Sequence, residues 1–304
     1  MTLLTKITKA LPAVVAVVLE LAVSATVTQA QSNNIIDSVT ENISQADDSL
    51  GKGGACNKLE NISSPVRAGQ QAFLHWVDRC GERSELEMGK TTIGETYWLG
   101  WSMYLPMSWE NSSESFDIVA QWAAYPTNRD FGDGCGGVGS KMSIRDDNLR
   151  FDFQHQGDTV DIQCDQYTLG NINDMKGKWV DFVMQVKWTG DPDGFLKIWM
   201  KVGDDSYVQK VDYIGRTFWN DEDRGPYFKM GLYKGAPDWD GPGAPRFLYT
   251  DEYHLGDFNS SFEEVAPGNV DTNFSIEEIL PRDAQENRDQ GQCGTHKLCS
   301  AARR

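Results

Sequence analysis

The sequence predicts an all-β protein, a sandwich or jelly roll of two antiparallel sheets, and three observations predict it. From Cys56 to about Asp257 the chain breaks into short runs rich in Trp, Tyr, Phe and Val, separated by Gly, Pro, Asp and Asn, with no sustained helical period. Several runs alternate apolar and polar residues at the two-residue period of a half-buried strand. A length of 304 residues is ordinary for one large β domain.

The best alternation lies in Tyr227 to Gly235. Phe228, Met230 and Leu232 share one face, while Tyr227, Lys229, Gly231 and Tyr233 share the other. The first face is core. The second presents two phenols and an ammonium around a glycine that lets a ligand approach the backbone, as a sugar-binding surface requires. Trp179 to Trp188 places Val180, Phe182, Met184, Val186 and Trp188 on its core face. A Gly-Asp-Pro-Asp-Gly turn at 190–194 then leads into Phe195 to Lys201, with Leu196, Ile198 and Met200 inward and Lys197, Trp199 and Lys201 outward. Turn chemistry accounts for the acidic residues of that turn without a bound cation. The Gly-rich stretch 132–139 reads as a hairpin loop or a lid beside a cleft; no Gly-Lys-Ser/Thr follows it, which excludes a phosphate loop.

The ends differ from the middle. Lys6 and Lys9, an apolar run and a small-residue stretch ending at Ala30 predict a secretory signal over residues 1–30. Residues 31–55 are polar and acidic and read as a flexible leader; residues 56–268 form the domain; residues 269–304 form an acidic, Cys-containing tail. Six cysteines and five Asn-x-Ser/Thr tripeptides, at Asn42, Asn61, Asn111, Asn259 and Asn273, agree with an extracellular glycoprotein. Six cysteines allow fifteen pairings; Cys56 with Cys80, Cys135 with Cys164 and Cys293 with Cys299 each close a short loop. The net charge of -17 argues against nucleic acid, which needs a basic stripe. It also opposes polyanions at long range, although screening over about 8 Å lets a local basic surface prevail. Nothing suggests a membrane span or a coiled coil, and a monomer is expected.

Three stretches in chain order carry a resemblance. Arg83-Ser84-Glu85-Leu86, the strand Ile118 to Trp122 containing Gln121, and Tyr227-Phe228-Lys229-Met230-Gly231-Leu232-Tyr233 are similar to the three signature strands of jelly-roll polysaccharide lyases, including alginate lyases. Residues 56–268 as a whole most resemble the glucuronan lyase family, related in fold to heparin lyase I. The resemblance implies a concave substrate groove, an anionic polysaccharide partner and β-elimination of a polyuronate. Gln121 and Arg83 would neutralise the C6 carboxylate, and Tyr233 would remove H5 and protonate O4. A phenol near pKa 10 needs about 4 kcal/mol to ionise at neutral pH, so nearby cations, Lys229, Arg83 and Lys197, are expected to lower it. Alginate lyases carry a histidine two residues after the glutamine; here Trp122 and Ala123 follow Gln121, which makes His75 the alternative base or carboxylate ligand. Lys229, Tyr227, Lys197 and Trp199 are the expected substrate contacts. A structural Ca2+ is implied as well, with Asp251, beside Glu252, as a contributor. Two other readings are a sandwich-fold glycoside hydrolase using Glu85 and Glu87, and a non-catalytic glycan-binding module with Trp199, Tyr227 and Tyr233 as stacking platforms.

Overall fold

The computed structural model describes residues 34–51, 55–111, 116–124, 139–156, 162–220, 224–235 and 245–268. The expected signal segment, most of the Gly-rich stretch, Cys135, Asn273 and the tail with Cys293 and Cys299 lie outside them.

Among the described residues, fifteen strands and one short α-helix are formed in order. The first seven strands are β1 (Ile35–Val39), β2 (Asp48–Leu50), β3 (Asn57–Ile62), β4 (Ala72–Val77), β5 (Arg83–Thr92), β6 (Thr96–Tyr104) and β7 (Phe116–Ala123). Then come β8 (Ser140–Arg145), β9 (Asn148–Gln156), β10 (Ile162–Asn171), β11 (Trp179–Lys187) and β12 (Phe195–Val202). The last are β13 (Val208–Ile214), β14 (Arg224–Lys234), β15 (Arg246–Gly256) and α1 (Phe262–Val265). All pair antiparallel in two sheets, ordered β13-β12-β11-β6-β15-β4-β3 and β10-β9-β8-β7-β14-β5-β2, with β1 added to β15. This is the expected jelly-roll sandwich.

The residues expected as a flexible leader are in fact part of it. β1 pairs with Tyr253 to Gly256 of β15, continuing the edge where β4, paired with Arg246 to Thr250, stops. β2 pairs with Glu85 to Glu87 of β5. Val39 is fully buried, and Asn42 and Gln45 form a capping box on a single turn. The segment is held by backbone pairing to strands distant in sequence, so its own composition gives no apolar period to read. The Cys56–Cys80 disulfide forms as expected, and Cys164 is also disulfide-bonded.

Aromatic rings join the sheets. Trp101 of β6 lies 5.0 Å from Phe182 of β11 on its own sheet, and 5.4 Å and 5.1 Å from Trp122 of β7 and Phe228 of β14 on the other. Edge-on and tilted contacts of this kind add about 0.5–1.5 kcal/mol each beyond area burial.

His75 belongs to this core. The alternative role as base or carboxylate ligand is not supported, because its side chain on β4 has no exposure and lies between the layers. Its Nδ1 is 2.8 Å from the Ser84 carbonyl of β5, which can only accept, so Nδ1 carries the proton. Nε2, 2.8 Å from Thr250 Oγ1, then accepts from that hydroxyl. Gly231 makes room for the ring: its φ is +134°, and a Cβ there would fall 2.3 Å from the Ser84 carbonyl oxygen and 2.5 Å from His75 Nδ1.

The outer face of the β6 sheet is covered. Trp98, Val183, Trp199, Tyr207, Phe262, Val265 and Ala266 form a second apolar cluster under α1. Trp199 stacks on Trp98 at 6.0 Å and meets Phe262 edge-on at 5.6 Å. Gly100 permits the approach, since a Cβ there would lie 1.7 Å from the Val265 carbonyl oxygen. Beside this cluster, registered pairs line up Asp251, Ser102, Asp181 and Lys201. Asp181 accepts from both Arg67 Nε and Nη2 at 2.8 Å and from Ser102 Oγ at 2.6 Å, with Lys201 Nζ at 3.0 Å.

Two outcomes are expected. Arg67→Ala leaves the buried Asp181 carboxylate short of its bidentate partner and lowers the unfolding free energy in urea by about 2–4 kcal/mol. Burial pushes the His75 imidazole down to about 4, the Ser84 carbonyl opposing. The unfolded chain therefore binds more protons between its ordinary value of 6.5 and about 4, so the stability that neutral His75 contributes is complete above that window and is lost as pH falls through it. That loss is about 3 kcal/mol. The stability gap between the unaltered protein and His75→Gln shrinks by that amount from pH 8 to pH 4 in urea titrations, and a constant gap refutes the assignment.

Candidate active site

The outer face of the second sheet is polar, because β14 turns Phe228, Met230 and Leu232 inward, and β5 likewise turns Leu86 and Met88 inward. Strand register builds one continuous row there. Asp48 of β2 pairs with Glu87 of β5, Glu87 with Lys229 of β14, and Lys229 with Gln121 of β7. Gln121 pairs with Lys141 of β8, Lys141 with Asp152 of β9, and Asp152 with Gln166 of β10. Two lysines flank Gln121 at its centre and each is paired outward with a carboxylate: Lys229 Nζ is 3.5 Å from Glu87 and Lys141 Nζ is 3.9 Å from Asp152, to which Gln166 also donates at 2.5 Å.

Tyr233 and Arg83 are direct cross-strand partners, and the guanidinium sits over the phenol ring at 4.1 Å. Arg83 is also paired with Glu82 at 2.7 Å, and the Tyr233 hydroxyl bonds to the same carboxylate. The phenol is raised above its ordinary value, chiefly by burial, with Arg83 opposing and Glu82 and Glu85 adding to the rise. The expectation that neighbouring cations lower it is therefore corrected: one arginine does not offset partial burial and two carboxylates. Lys229 lies over the Tyr227 ring at 5.1 Å.

The structure thus brings together Arg83, Gln121, Lys229, Tyr227 and Tyr233, from three adjacent strands. Two expected substrate contacts are elsewhere. Trp199 and Lys197 belong to β12 in the other sheet, and Trp199 is only 4% exposed beneath α1. Sequence alternation separates inward from outward residues, but it does not tell which sheet a strand joins or what covers its outer face.

Asp251 also departs from expectation. Its Oδ2 accepts from the backbone N–H of Arg67 at 2.8 Å and of Ala68 at 3.4 Å, and its Oδ1 from that of Glu252 at 2.8 Å. Burial raises its carboxyl to about 7 against these donors. Calcium needs six to eight oxygen ligands with available lone pairs. A carboxylate filled by N–H donors is a poor member of such a set, and among the described residues no three His, Cys, Asp or Glu stand together as metal ligands. The residues around Asp251 do not fit calcium.

Glu85, weighed from sequence only as a hydrolase carboxylate, is part of this site in another sense. It is 1% exposed although it faces away from the core, and its Oε1 accepts from Gln121 Nε2 at 2.5 Å. Glu87 is ion-paired with Lys229. Lys141, Asp152 and Gln166 were not read from the sequence, although Lys141 alternates with Met142 and Asp152 with Phe151 and Phe153 in the required sense.

As a chemical device, the surface offers an amide, a guanidinium and an ammonium as donors to an anion, beside a phenol that can exchange a proton. Among solved structures, the chain superposes on the endo-β-1,4-glucuronan lyase of the fungus Trichoderma reesei with a TM-score of 0.64 at 20% identity, covering 78% of this chain and 100% of that one. That similarity supports the fold. A marine alginate lyase from Aplysia kurodai matches with a TM-score of 0.45 at 11% identity, over 66% of this chain and 87% of that one. A β-glucanase catalytic domain from Podospora anserina matches with a TM-score of 0.46 at 12% identity, over 77% and 89%. These two similarities are too low to distinguish the chemistries. No curated protein matches the sequence. A family model described as polysaccharide lyase matches residues 24–254, and on that match the chain belongs to the polysaccharide lyase family.

Proposed function

We propose that this protein is a secreted lyase that cleaves a β-1,4-linked polyuronate by β-elimination, with glucuronan the first polymer to test. The observation that carries the reading is the convergence of Arg83, Gln121, Lys229 and Tyr233 on adjacent strands of one polar sheet face. Glucuronan is also the polymer named for the Trichoderma reesei neighbour.

The reaction asks for charge neutralisation first. Gln121 Nε2 and the Arg83 guanidinium donate to the C6 carboxylate, which makes H5 acidic and holds the negative charge that develops in the transition state. Tyr233, ionised as it enters the reaction, takes H5: the C5–H bond breaks and the phenol O–H bond forms. The electron pair becomes the C4=C5 double bond as the C4–O4 bond breaks. The phenol then returns the proton to O4, leaving an unsaturated uronate on one product and a free hydroxyl on the other. In a β-1,4-linked glucuronate H5 and O4 lie on the same side of the ring, so one phenol can reach both. Because the resting phenol is raised above its ordinary value, the Arg83 guanidinium over its ring is the group that stabilises the phenolate when it forms.

Incubation with glucuronan is expected to generate ultraviolet absorbance from the new double bond, in step with new reducing ends. Tyr233→Phe removes the proton carrier and lowers kcat by about 10²–10⁴-fold. Gln121→Ala removes one donor to the developing charge and costs about 10²–10³-fold in kcat. Full turnover in Tyr233→Phe, or reducing ends released from any polymer without double-bond absorbance, overturns the reading.

A further inference from the structure

Glu85 has a feature that neither packing nor a purely positioning role accounts for. Its Oε1 is engaged by Gln121, but its Oε2 is buried and has no hydrogen-bond partner among the described residues. Arg83 Nη1 is 3.8 Å from Oε2, beyond hydrogen-bond reach, while Nη2 of the same guanidinium donates to Glu82 and the group lies over the Tyr233 ring. A buried carboxylate oxygen left without a donor is costly, as is a buried O–H left without an acceptor. Either state calls for a partner from outside the chain.

The surroundings decide between the two states. Directly across from Glu85 on β14 is Gly231, whose turned backbone points the missing Cβ inward and leaves only hydrogen on the outer side; on β2 its partner is the apolar Leu50. The charged and titratable groups facing it are Glu82, Arg83 and Glu87 near it in sequence, Lys229 and Tyr233 on β14, Asp48 on β2 and, across Gln121, Lys141 on β8. Arg83 and Lys229 already have carboxylates of their own in Glu82 and Glu87. An anionic Glu85 would thus add a negative charge where the uronate carboxylate must come. Burial raises the Glu85 carboxyl to about 7, despite Gln121, Lys229 and Arg83.

We propose that Glu85 acts as a carboxylic acid rather than a carboxylate, and that its Oε2–H donates a hydrogen bond to the C6 carboxylate of the bound uronate beside Gly231. This rests on the lyase reading for the identity of the ligand. The proton stays on Glu85 throughout, and no bond to Glu85 is made or broken. Gln121 then has two tasks on one side chain: one N–H fixes Glu85 Oε1, so that the proton is left on Oε2, and the rest of the amide faces the same substrate carboxylate. A charged Glu85 would have to take up a proton before a uronate could bind.

The test compares Glu85→Gln and Glu85→Ala. Glutamine keeps an acceptor for Gln121 and places an N–H donor where Oε2–H was, in a group that does not titrate. The expected result is that Glu85→Gln retains kcat/KM within several-fold at pH 6 and loses the decline the unaltered enzyme shows as pH rises through about 7, whereas Glu85→Ala falls by 100-fold or more at every pH. An equal collapse of both variants would show that the ionised carboxylate is required and would overturn the proposal, as would an unchanged alkaline decline in Glu85→Gln. A second readout does not depend on turnover. Calorimetric titration of a glucuronate oligosaccharide at pH 8, in two buffers of different ionisation enthalpy, is expected to show up to one proton taken up per bound chain by Tyr233→Phe and none by the Tyr233→Phe, Glu85→Gln double variant. Equal proton uptake by both, or no binding, refutes the role of Glu85. Binding with the expected proton uptake, but without unsaturated product from the unaltered enzyme, supports Glu85 and overturns only the lyase chemistry.

Discussion

The site depends on the two-residue period of β14. This strand has a neighbour on each side and must send Phe228, Met230 and Leu232 into the aromatic core while it holds Lys229 and Tyr233 outside. A slip of one residue against β5 or β7 would reverse every side chain at once, burying an ammonium and exposing a phenylalanine, so the core fixes the register. The same register aligns Lys229 with Gln121 and Glu87, and Tyr233 with Arg83. Interior packing therefore sets the positions of the polar groups. Gly231 is the one break in the alternation, and it accommodates His75 on one side while opening space beside Glu85 on the other.

Electrostatics on this face is local. The protein carries a net charge of -17, yet the row from Asp48 to Gln166 sets two lysines between carboxylates, and burial moves His75, Glu85, Tyr233 and Lys141 there and beneath it away from their ordinary pKa values. Burial is the first cause for Glu85 and His75 and is only partly offset by neighbours, so both are held neutral by exclusion of water more than by any single partner. Their effects on stability have opposite signs as the medium is acidified: His75 costs stability as pH falls below its ordinary value, and Glu85 ceases to cost stability as it becomes protonated.

Much of the fold was legible in the sequence, and the reason is the alternation itself. β11, β12 and β14 each show it over seven or more residues, and their inward faces are the buried ones. Arg83, Gln121, Lys229, Tyr227 and Tyr233 could be placed on one sheet because three short motifs occur in the order of known lyase strands. What was not legible depends on contacts between residues far apart in the chain. β1 and β2 owe their form to β15 and β5, so a polar composition concealed them. Trp199 reads as an exposed platform until α1 is laid over it, although Ser261 and Glu264 do carry a capping-box pattern that marks the helix start. His75 looks like chemistry because histidine so often is; only the carbonyl of Ser84 and the hydroxyl of Thr250 show it to be a rivet between layers.

The pairing of each lysine in this row with a carboxylate has a bearing on how firmly any acidic chain can be held. Lys229 and Lys141 each have a carboxylate of the protein nearby, so on the proposed lyase reading an incoming uronate would compete with Glu87 and Asp152 for charges they already neutralise. These residues act as resident placeholders. On the proposed lyase reading they would soften the attraction along the polymer, as Glu82 does at Arg83, leave Gln121 and Glu85 as the points of firm hold, and allow a cleaved fragment to be exchanged for the protein's own acids as it departs.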